Sequence, residues 1–246
     1  MITLHHKTGP VVQEQAIWAG GQFLLLGVLG GTIGLGGLGW AAGLAYGFAT
    51  WALLSYALQR SGTSLGPADR VTLGRGLLVG AVTALVADRA DEGIPTTIVV
   101  TFAAIALALD FVDGQVARRT GTASRLGARF DMEVDAFLIL VLSAYVALSF
   151  GPWVLAIGAM RYVFVAFSWK LRWMRGSLPH SMARKTVAAV QGIVLVVAAS
   201  GVFPFGAVLV ALALASLVWS FGRDVLWLWN ARVAAPSATV EGSVRV

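Results

Sequence analysis

The chain contains no cysteine and few ionised groups. Without cysteine it can form no disulfide, cannot use a thiolate as a nucleophile and cannot hold zinc through sulfur, so its redox compartment stays open. The histidines, His5, His6 and His180, have no spacing typical of a metal site. Charged residues make up 12% of the chain and hydrophobic residues 58%, a balance too apolar for an ordinary soluble domain. A membrane protein is therefore expected.

The start of the chain, MITLHHKTGPVVQEQ, also lacks the features of a secretory signal. It has no basic stretch followed by a short apolar core and a small-residue cleavage site. We therefore expect no cleaved signal.

Long apolar runs dominate the rest of the sequence. They are near-continuous in Leu, Val and Ala, which favours α-helices over the alternating strands of a membrane barrel. The linkers between them are rich in Gly, Pro and Ser. The sequence predicts an all-α, polytopic transmembrane helical bundle of about eight membrane helices, at residues 15–33, 38–58, 71–87, 94–116, 128–150, 153–169, 186–202 and 205–229.

The link between the first two runs is rich in glycine and allows either a tight helical hairpin or a partly re-entrant segment. The spacings Gly27/Gly31 and Gly43/Gly47 favour close helix packing, because small residues let backbones approach. Residues 34–39, GLGGLG, fit the G-x-G-x-x-G pattern of dinucleotide loops. No βαβ unit surrounds them, so we reject a dinucleotide site.

Basic residues are distributed unevenly across the predicted loops. If successive helices cross the membrane in alternating directions, the Lys and Arg residues of the loops fall on one side of the membrane. Arg75 is counted among these residues, and only Arg89 lies on the opposite side. An excess of Lys and Arg marks the cytoplasmic face, so we expect both termini to be cytoplasmic, in a bacterial inner membrane by default. The net charge of +6 then reflects topology and contact with membrane lipids, and no nucleic-acid partner is expected.

The stretch LDFVDGQVARRTGTASRLGARFDMEVDAF, residues 109–137, contains four aspartates where ionised groups should be scarce. Asp110 and Asp113 are three residues apart, and Asp131 and Asp135 are four apart. Each pair therefore projects from one face of its helix. The polar, Gly-containing link between the pairs allows the two helices to run antiparallel, so that all four carboxylates converge at one membrane face.

Converging carboxylates repel each other and need protons, cations or paired arginines. Oxygen-rich sites suit the hard ions Mg²⁺ and Mn²⁺, and two such ions about 3.5–4 Å apart form the usual clamp for phosphoryl displacement. Gly114 lets a ligand approach the backbone, and Arg118 can donate to phosphate oxygens. The alternative is a set of interfacial charges paired with the neighbouring arginines Arg118, Arg119, Arg125 and Arg129.

These residues resemble the signature of the CDP-alcohol phosphotransferases, D-x-x-D-G-x-x-A-R-x(8)-G-x-x-x-D-x-x-x-D. Every fixed position matches: Asp110, Asp113, Gly114, Ala117, Arg118, Gly127, Asp131 and Asp135. The resemblance implies a six-helix membrane core, and hence a cytoplasmic segment (1–14), an accessory transmembrane hairpin (15–59), a phosphotransferase membrane domain (60–230) and a cytoplasmic tail (231–246). It also implies a homodimer.

The resemblance further implies transfer of a substituted phosphate from a CDP-alcohol to an acceptor hydroxyl, with release of CMP. Asp110 and Asp131 would bridge two Mg²⁺ or Mn²⁺ ions, Asp113 would complete one site, and Asp135 would complete the other and act as general base. The predicted CDP-alcohol contacts are Gly114, Ala117, Arg118, Ser124, Gly127 and the segment Asp69, Arg70, Val71 and Thr72. The match of that last segment is looser, because it lacks the Asn-Pro-Asn opening of many members.

The acceptor side is less well marked. Arg161 lies in the middle of a predicted helix, which favours a cavity-facing role or an ion pair with a buried carboxylate. Arg184 and Lys185 belong to a basic loop that either marks topology and contacts lipid headgroups or, with Arg161, lines a pocket for an acceptor phosphate.

The leading hypothesis is a phospholipid-synthesising enzyme. Its donor would be CDP-diacylglycerol or another CDP-alcohol, and its acceptor a phosphorylated polyol such as inositol phosphate or glycerol phosphate. A cardiolipin synthase that accepts phosphatidylglycerol is the alternative within the same class. A cation or proton transporter is the alternative from another class, although a transporter would prefer carboxylates on broken helices at the bilayer midplane.

Overall fold

A computed structural model of the protein describes residues 8–61, 66–88, 96–120, 125–176 and 181–234. These ranges are almost entirely α-helical and contain no β-strand. The helices are α1 (Thr8–Ile33), α2 (Gly37–Ser61), α3 (Pro67–Asp88), α4 (Thr96–Thr120), α5 (Arg125–Phe150), α6 (Leu155–Lys170), α7 (Met182–Ser200) and α8 (Gly206–Ala234), with short 3₁₀ turns at Pro152–Val154 and Arg172–Arg175.

Proline and glycine mark several helix boundaries. Pro67 is the first residue of α3, where its missing N–H costs nothing and its fixed φ suits a helix. Gly34, Gly151 and Gly201 have φ values of 78°, 100° and 66° and lie in the links before α2, α6 and α8. Other residues rarely adopt such a backbone conformation, so these glycines allow the sharp reversals between consecutive helices.

The described helices match a polytopic bundle in length and composition. Seven of them are long and apolar enough to cross a membrane. In α4 the apolar part is shorter, Thr96–Val112, because charged residues occupy its last turns. The prediction of an all-α membrane bundle is thus confirmed.

Helix α3 is the centre of the bundle and packs against α1, α2, α4 and α5. Several of its side chains are fully buried, including Val79, Val82 and Leu85. Small residues let the neighbours come close: a Cβ on Gly80 would overlap the amide group of Gln22 from α1. Such a helix is apolar on nearly all sides, as expected of a helix surrounded by others.

The first two helices form a hairpin joined by the three-residue link Gly34 to Gly36. Of the two predicted glycine pairs, only the second lies at a packing face. A Cβ on Gly43 would approach Leu26 to 2.7 Å, and one on Gly47 would approach Gln22 to 3.3 Å. Among the described residues, no atom lies within 4 Å of a Cβ at Gly27 or Gly31, so the packing predicted for that pair is wrong there: both positions face away from the other described helices.

The last residue of α3 joins that helix to the hairpin. One carboxylate oxygen of Asp88 accepts the backbone N–H of Gly36 at 2.8 Å, and the other accepts that of Gly39 at 3.1 Å. These amides belong to the start of α2, where backbone N–H groups have no partner inside the helix. Asp88 therefore caps α2 from a distant part of the sequence.

Candidate active site

Three of the four aspartates meet at one end of the bundle. Asp110 is near the end of α4, and Asp131 and Asp135 lie in the first turns of α5. One oxygen of each carboxylate lies within 4.8 Å of the others. The i, i+4 spacing of Asp131 and Asp135 places both on the face of α5 that meets α4, as predicted. The side chain of Asp113 lies outside the described part of the structure.

Arg75, on α3, lies beneath this cluster, and its side chain is 0% exposed. Its guanidinium forms ion pairs with Oδ1 of Asp110 and Oδ1 of Asp131, and its Nη1 lies 3.2 Å from Oδ1 of Asp135. Its Nη2 also donates to the backbone oxygen of Asp131 at 3.2 Å. The first turns of α3 and α5 and the last turns of α4 are thus joined through one side chain.

The arrangement balances opposing charges. Two ionised carboxylates at such a separation repel each other by roughly 3 kcal/mol at the effective dielectric constant of a partly buried site. A buried guanidinium is equally unfavourable without counter-charges, and here Asp110, Asp131 and Asp135 supply them. Because each aspartate side chain is still 33–39% exposed, the cluster is open on the side away from Arg75.

The sequence interpretation counted Arg75 among the basic residues that mark topology and missed its place in the site. A signal was available, because Arg75 falls inside the apolar span Asp69–Asp88. An ionised group at such a position requires a partner, and carboxylates were already predicted on neighbouring helices.

Comparison with family models identifies the membrane core. The model of the CDP-alcohol phosphatidyltransferases matches residues 67–219, which is more than half of the chain. The chain belongs to this family. Comparisons with curated proteins and with solved structures give no match.

As a CDP-alcohol phosphatidyltransferase, the protein is a membrane transferase of substituted phosphate groups whose donor is a CDP-alcohol. The family generally depends on divalent metals. The donor set at the cluster fits such ions: Asp110, Asp131 and Asp135 offer oxygen atoms only, which hard divalent cations prefer. The contacts with Arg75 show that the same three carboxylates already converge on positive charge.

The remaining motif positions of the phosphatidyltransferase signature lie close to the cluster along the chain. Gly114 is one turn beyond Asp110 on α4, and Gly127 is one turn before Asp131 on α5, both partly exposed. Either could let a ligand approach the backbone. Ser124 and the side chains of Ala117 and Arg118 lie outside the described part of the structure.

The segment predicted to bind the donor opens α3. Asp69 is 6% exposed, and its carboxylate accepts the backbone N–H of Gly66 at 2.7 Å. Arg70 points outward and pairs with Glu14 of α1 at 2.5 Å. Val71 is partly buried and Thr72 is buried. In this structure Asp69 caps the first turn of α3, and Arg70 links that turn to α1 of the hairpin through an ion pair.

The residues predicted to bind the acceptor also have acidic partners. Arg161, on α6, pairs with Glu133 of α5, whose side chain is 56% exposed and lies between the two aspartates in sequence. Arg184, at the start of α7, lies 3.3 Å from Asp224 of α8. Lys185 is exposed. Arg161 therefore forms an ion pair, one of the two roles expected of it, although its partner is exposed rather than buried.

Proposed function

We propose that the protein transfers the phosphatidyl group of CDP-diacylglycerol to a hydroxyl of a phosphorylated polyol, such as inositol phosphate or glycerol phosphate, and releases CMP. The observation that carries the proposal is the meeting of Asp110, Asp131 and Asp135 at one open end of a membrane bundle. There a lipid donor can keep its acyl chains among the helices while its nucleotide reaches the carboxylates.

Asp110, Asp113, Asp131 and Asp135 would hold two Mg²⁺ or Mn²⁺ ions. When bound, such ions neutralise the donor pyrophosphate and stabilise the charge that develops as the phosphorus–oxygen bond to CMP breaks. Gly114, Arg118 and Ser124 would bind the nucleotide diphosphate, and Ala117 and Gly127 would leave room for it.

Asp135 would act as the general base. Its carboxylate takes the proton of the acceptor hydroxyl, and the resulting oxygen attacks the phosphorus that carries the diacylglycerol. That phosphorus gains the acceptor oxygen and loses the oxygen that leaves with CMP, so one bond forms as one breaks. Nη1 of Arg75 lies 3.2 Å from one oxygen of Asp135, an ion-pair contact that keeps this carboxylate on the same side as those of Asp110 and Asp131.

Two features support a phosphorylated acceptor. Arg184 and Lys185 begin α7, which packs against α4 and α5, the helices that carry the aspartates. Asp224 lies near both Arg184 and Arg223, so one carboxylate faces two guanidinium groups. These residues together with Lys185 keep a net positive charge, which would attract a phosphate.

The distribution of basic loop residues supports an active site and both termini on the cytoplasmic side, in a membrane that we take by default to be a bacterial inner membrane. The family resemblance supports a homodimer. Crosslinking the protein in native membranes would test the dimer, since a species of twice the monomer mass is expected.

The decisive experiment measures CMP release by the purified protein from CDP-diacylglycerol and from soluble CDP-alcohols, each with a panel of acceptors. We expect release with CDP-diacylglycerol and a phosphorylated polyol, loss of release in EDTA and its return with Mg²⁺ or Mn²⁺. Preference for phosphatidylglycerol would instead indicate a cardiolipin synthase. Transfer that is insensitive to EDTA would exclude the metal clamp, and no release from any donor would contradict the proposed reaction.

A further inference from the structure

Arg75 occupies the closed side of the aspartate cluster. It is fully buried, whereas the carboxylates of Asp110, Asp131 and Asp135 are each about one-third exposed. The guanidinium therefore approaches them from inside the protein, and a ligand from outside reaches them from the other side. Arg75 and an external ligand therefore contact the carboxylates from opposite sides, so Arg75 can stay bound to them when a ligand binds.

The contacts of Arg75 are well suited to holding carboxylates in position. Each of the three aspartates offers its Oδ1 to the guanidinium, and Asp131 adds its backbone oxygen. Arginine is planar and always charged, and its donors form a rigid fork, so one side chain can align several carboxylates. These aspartates come from two helices, α4 and α5, that both pack against α3, the helix that carries Arg75.

We propose that Arg75 is the positioning residue of the divalent-cation site. It holds Asp110, Asp131 and Asp135 together before the ions bind, and it supplies part of the positive charge that the ions supply afterwards. This inference rests on the proposed function, because it requires that the cluster bind divalent cations.

A measurable consequence is energetic coupling between Arg75 and the ions. Without ions, removal of Arg75 takes away the buried guanidinium that the described residues place against these three carboxylates. With ions bound, the same carboxylates remain compensated. Two groups that neutralise the same charges have non-additive effects on stability, whereas an arginine that only fills space would have the same effect in both states.

The experiment compares thermal unfolding of the wild type and Arg75→Met in detergent, each purified with Mg²⁺ and then transferred to EDTA or to saturating Mg²⁺. Tryptophan fluorescence reports unfolding. Removing one partner of a buried ion pair is strongly destabilising, so we expect the Tm of Arg75→Met to fall by roughly 10 °C in EDTA. In saturating Mg²⁺ we expect less than half of that loss. The stabilisation by Mg²⁺ is then larger in the variant than in the wild type.

Gln191→Leu is a matched control. Gln191 is 2% exposed and donates to the backbone oxygen of Ala213 at 2.9 Å, between α7 and α8. Its replacement disturbs a buried polar contact without touching the aspartates. The Tm loss of this variant should be the same in EDTA and in Mg²⁺.

Equal losses for Arg75→Met in the two conditions would overturn the role of Arg75. If that variant does not fold even with Mg²⁺, Arg75→Lys decides: its loss should be greater in EDTA than in Mg²⁺, and equal losses overturn the proposal. A wild type whose Tm responds to neither Mg²⁺ nor Mn²⁺ would contradict the proposed metal site together with this inference. A normal wild-type response with uncoupled variants would contradict the role of Arg75 alone.

Discussion

The two ends of α3 use charge in different ways. Near its start, Arg75 meets three carboxylates from α4 and α5 and has no exposed surface. At its end, Asp88 accepts two backbone N–H groups at the start of α2. Both side chains connect α3 to its neighbours, but among the described residues only Arg75 belongs to a set of ionised groups.

The difference separates a structural charge from a functional one. Asp88 accepts hydrogen bonds from backbone N–H groups, which lack partners at the start of every helix. A single carboxylate is therefore enough to cap α2. At the other end, among the described residues, three partly exposed carboxylates face one guanidinium. An excess of negative charge at an open position becomes more favourable when positive charge arrives from outside, as divalent cations would supply. Function is therefore expected at the Arg75 end.

The largest effect should come from Asp135→Asn. Loss of the general base should lower kcat by roughly 10³-fold, since positioned bases contribute about 10² to 10⁴. Asparagine has nearly the same size and shape as aspartate, and Asp110 and Asp131 still supply counter-charge to Arg75, so folding and most donor binding should be retained. CMP release at saturating donor and acceptor, with donor binding measured separately, checks this. Full activity of the variant would refute the role of Asp135 as base.

At the other end of α3, a substitution of Asp88 should lower the stability of the protein and leave its activity unchanged. Asp88→Ala removes the acceptor of two backbone N–H groups, at a cost of about 2 kcal/mol. In a protein of this size that lowers Tm by roughly 5 °C, measured by thermal unfolding. The kcat of the folded variant should equal that of the wild type. A fall in kcat comparable to that of Asp135→Asn would remove the distinction between the two ends.

The smallest effect is expected for the basic residues at the start of α7, and it tests whether they take part in acceptor binding. Replacing Arg184 and Lys185 together with glutamine should raise the KM for a phosphorylated acceptor by roughly 10-fold, the loss of about 1.4 kcal/mol of binding, with little change in the KM for the donor. Steady-state kinetics with each substrate varied in turn measures this.

The control for that measurement is Arg232→Gln. Arg232 lies over the ring of Trp229 near the end of α8, so its loss also removes one basic charge from this face. Its acceptor KM should match that of the wild type. An unchanged acceptor KM in the double variant would place the acceptor phosphate elsewhere.

Much of the fold follows from local patterns. The apolar runs predicted every described helix, because bilayer-spanning helices need long continuous apolar segments. The predicted boundaries differ from the observed ones mainly where charged residues continue a helix beyond its apolar part. In α4 the apolar part ends at Val112, yet the helix continues to Thr120. The convergence of the aspartates was also predictable, because Asp131 and Asp135 share one helical face and only a short link separates α5 from α4.

Other features depend on contacts between residues far apart in sequence. The position of Arg75 inside an apolar span indicated that it needs an ionised partner. Which carboxylates it contacts depended on how α3, α4 and α5 pack. Arg161 could have faced a cavity, yet Glu133 on the neighbouring helix is close enough to pair with it. The packing of glycines behaved similarly: Gly43 faces Leu26 and Ala84, whereas Gly27, with equally suitable spacing, faces away from the other helices.

The sequence by itself determined the membrane class, the helices and the chemistry of the aspartate motif, because each depends on composition or on spacing along one chain segment. Only the tertiary structure decided that Arg75 lies among Asp110, Asp131 and Asp135 and that Asp88 caps α2. The physical reason is that an ionised group in an apolar bundle must find counter-charges or hydrogen-bond partners wherever packing brings them. Sequence spacing does not specify that position.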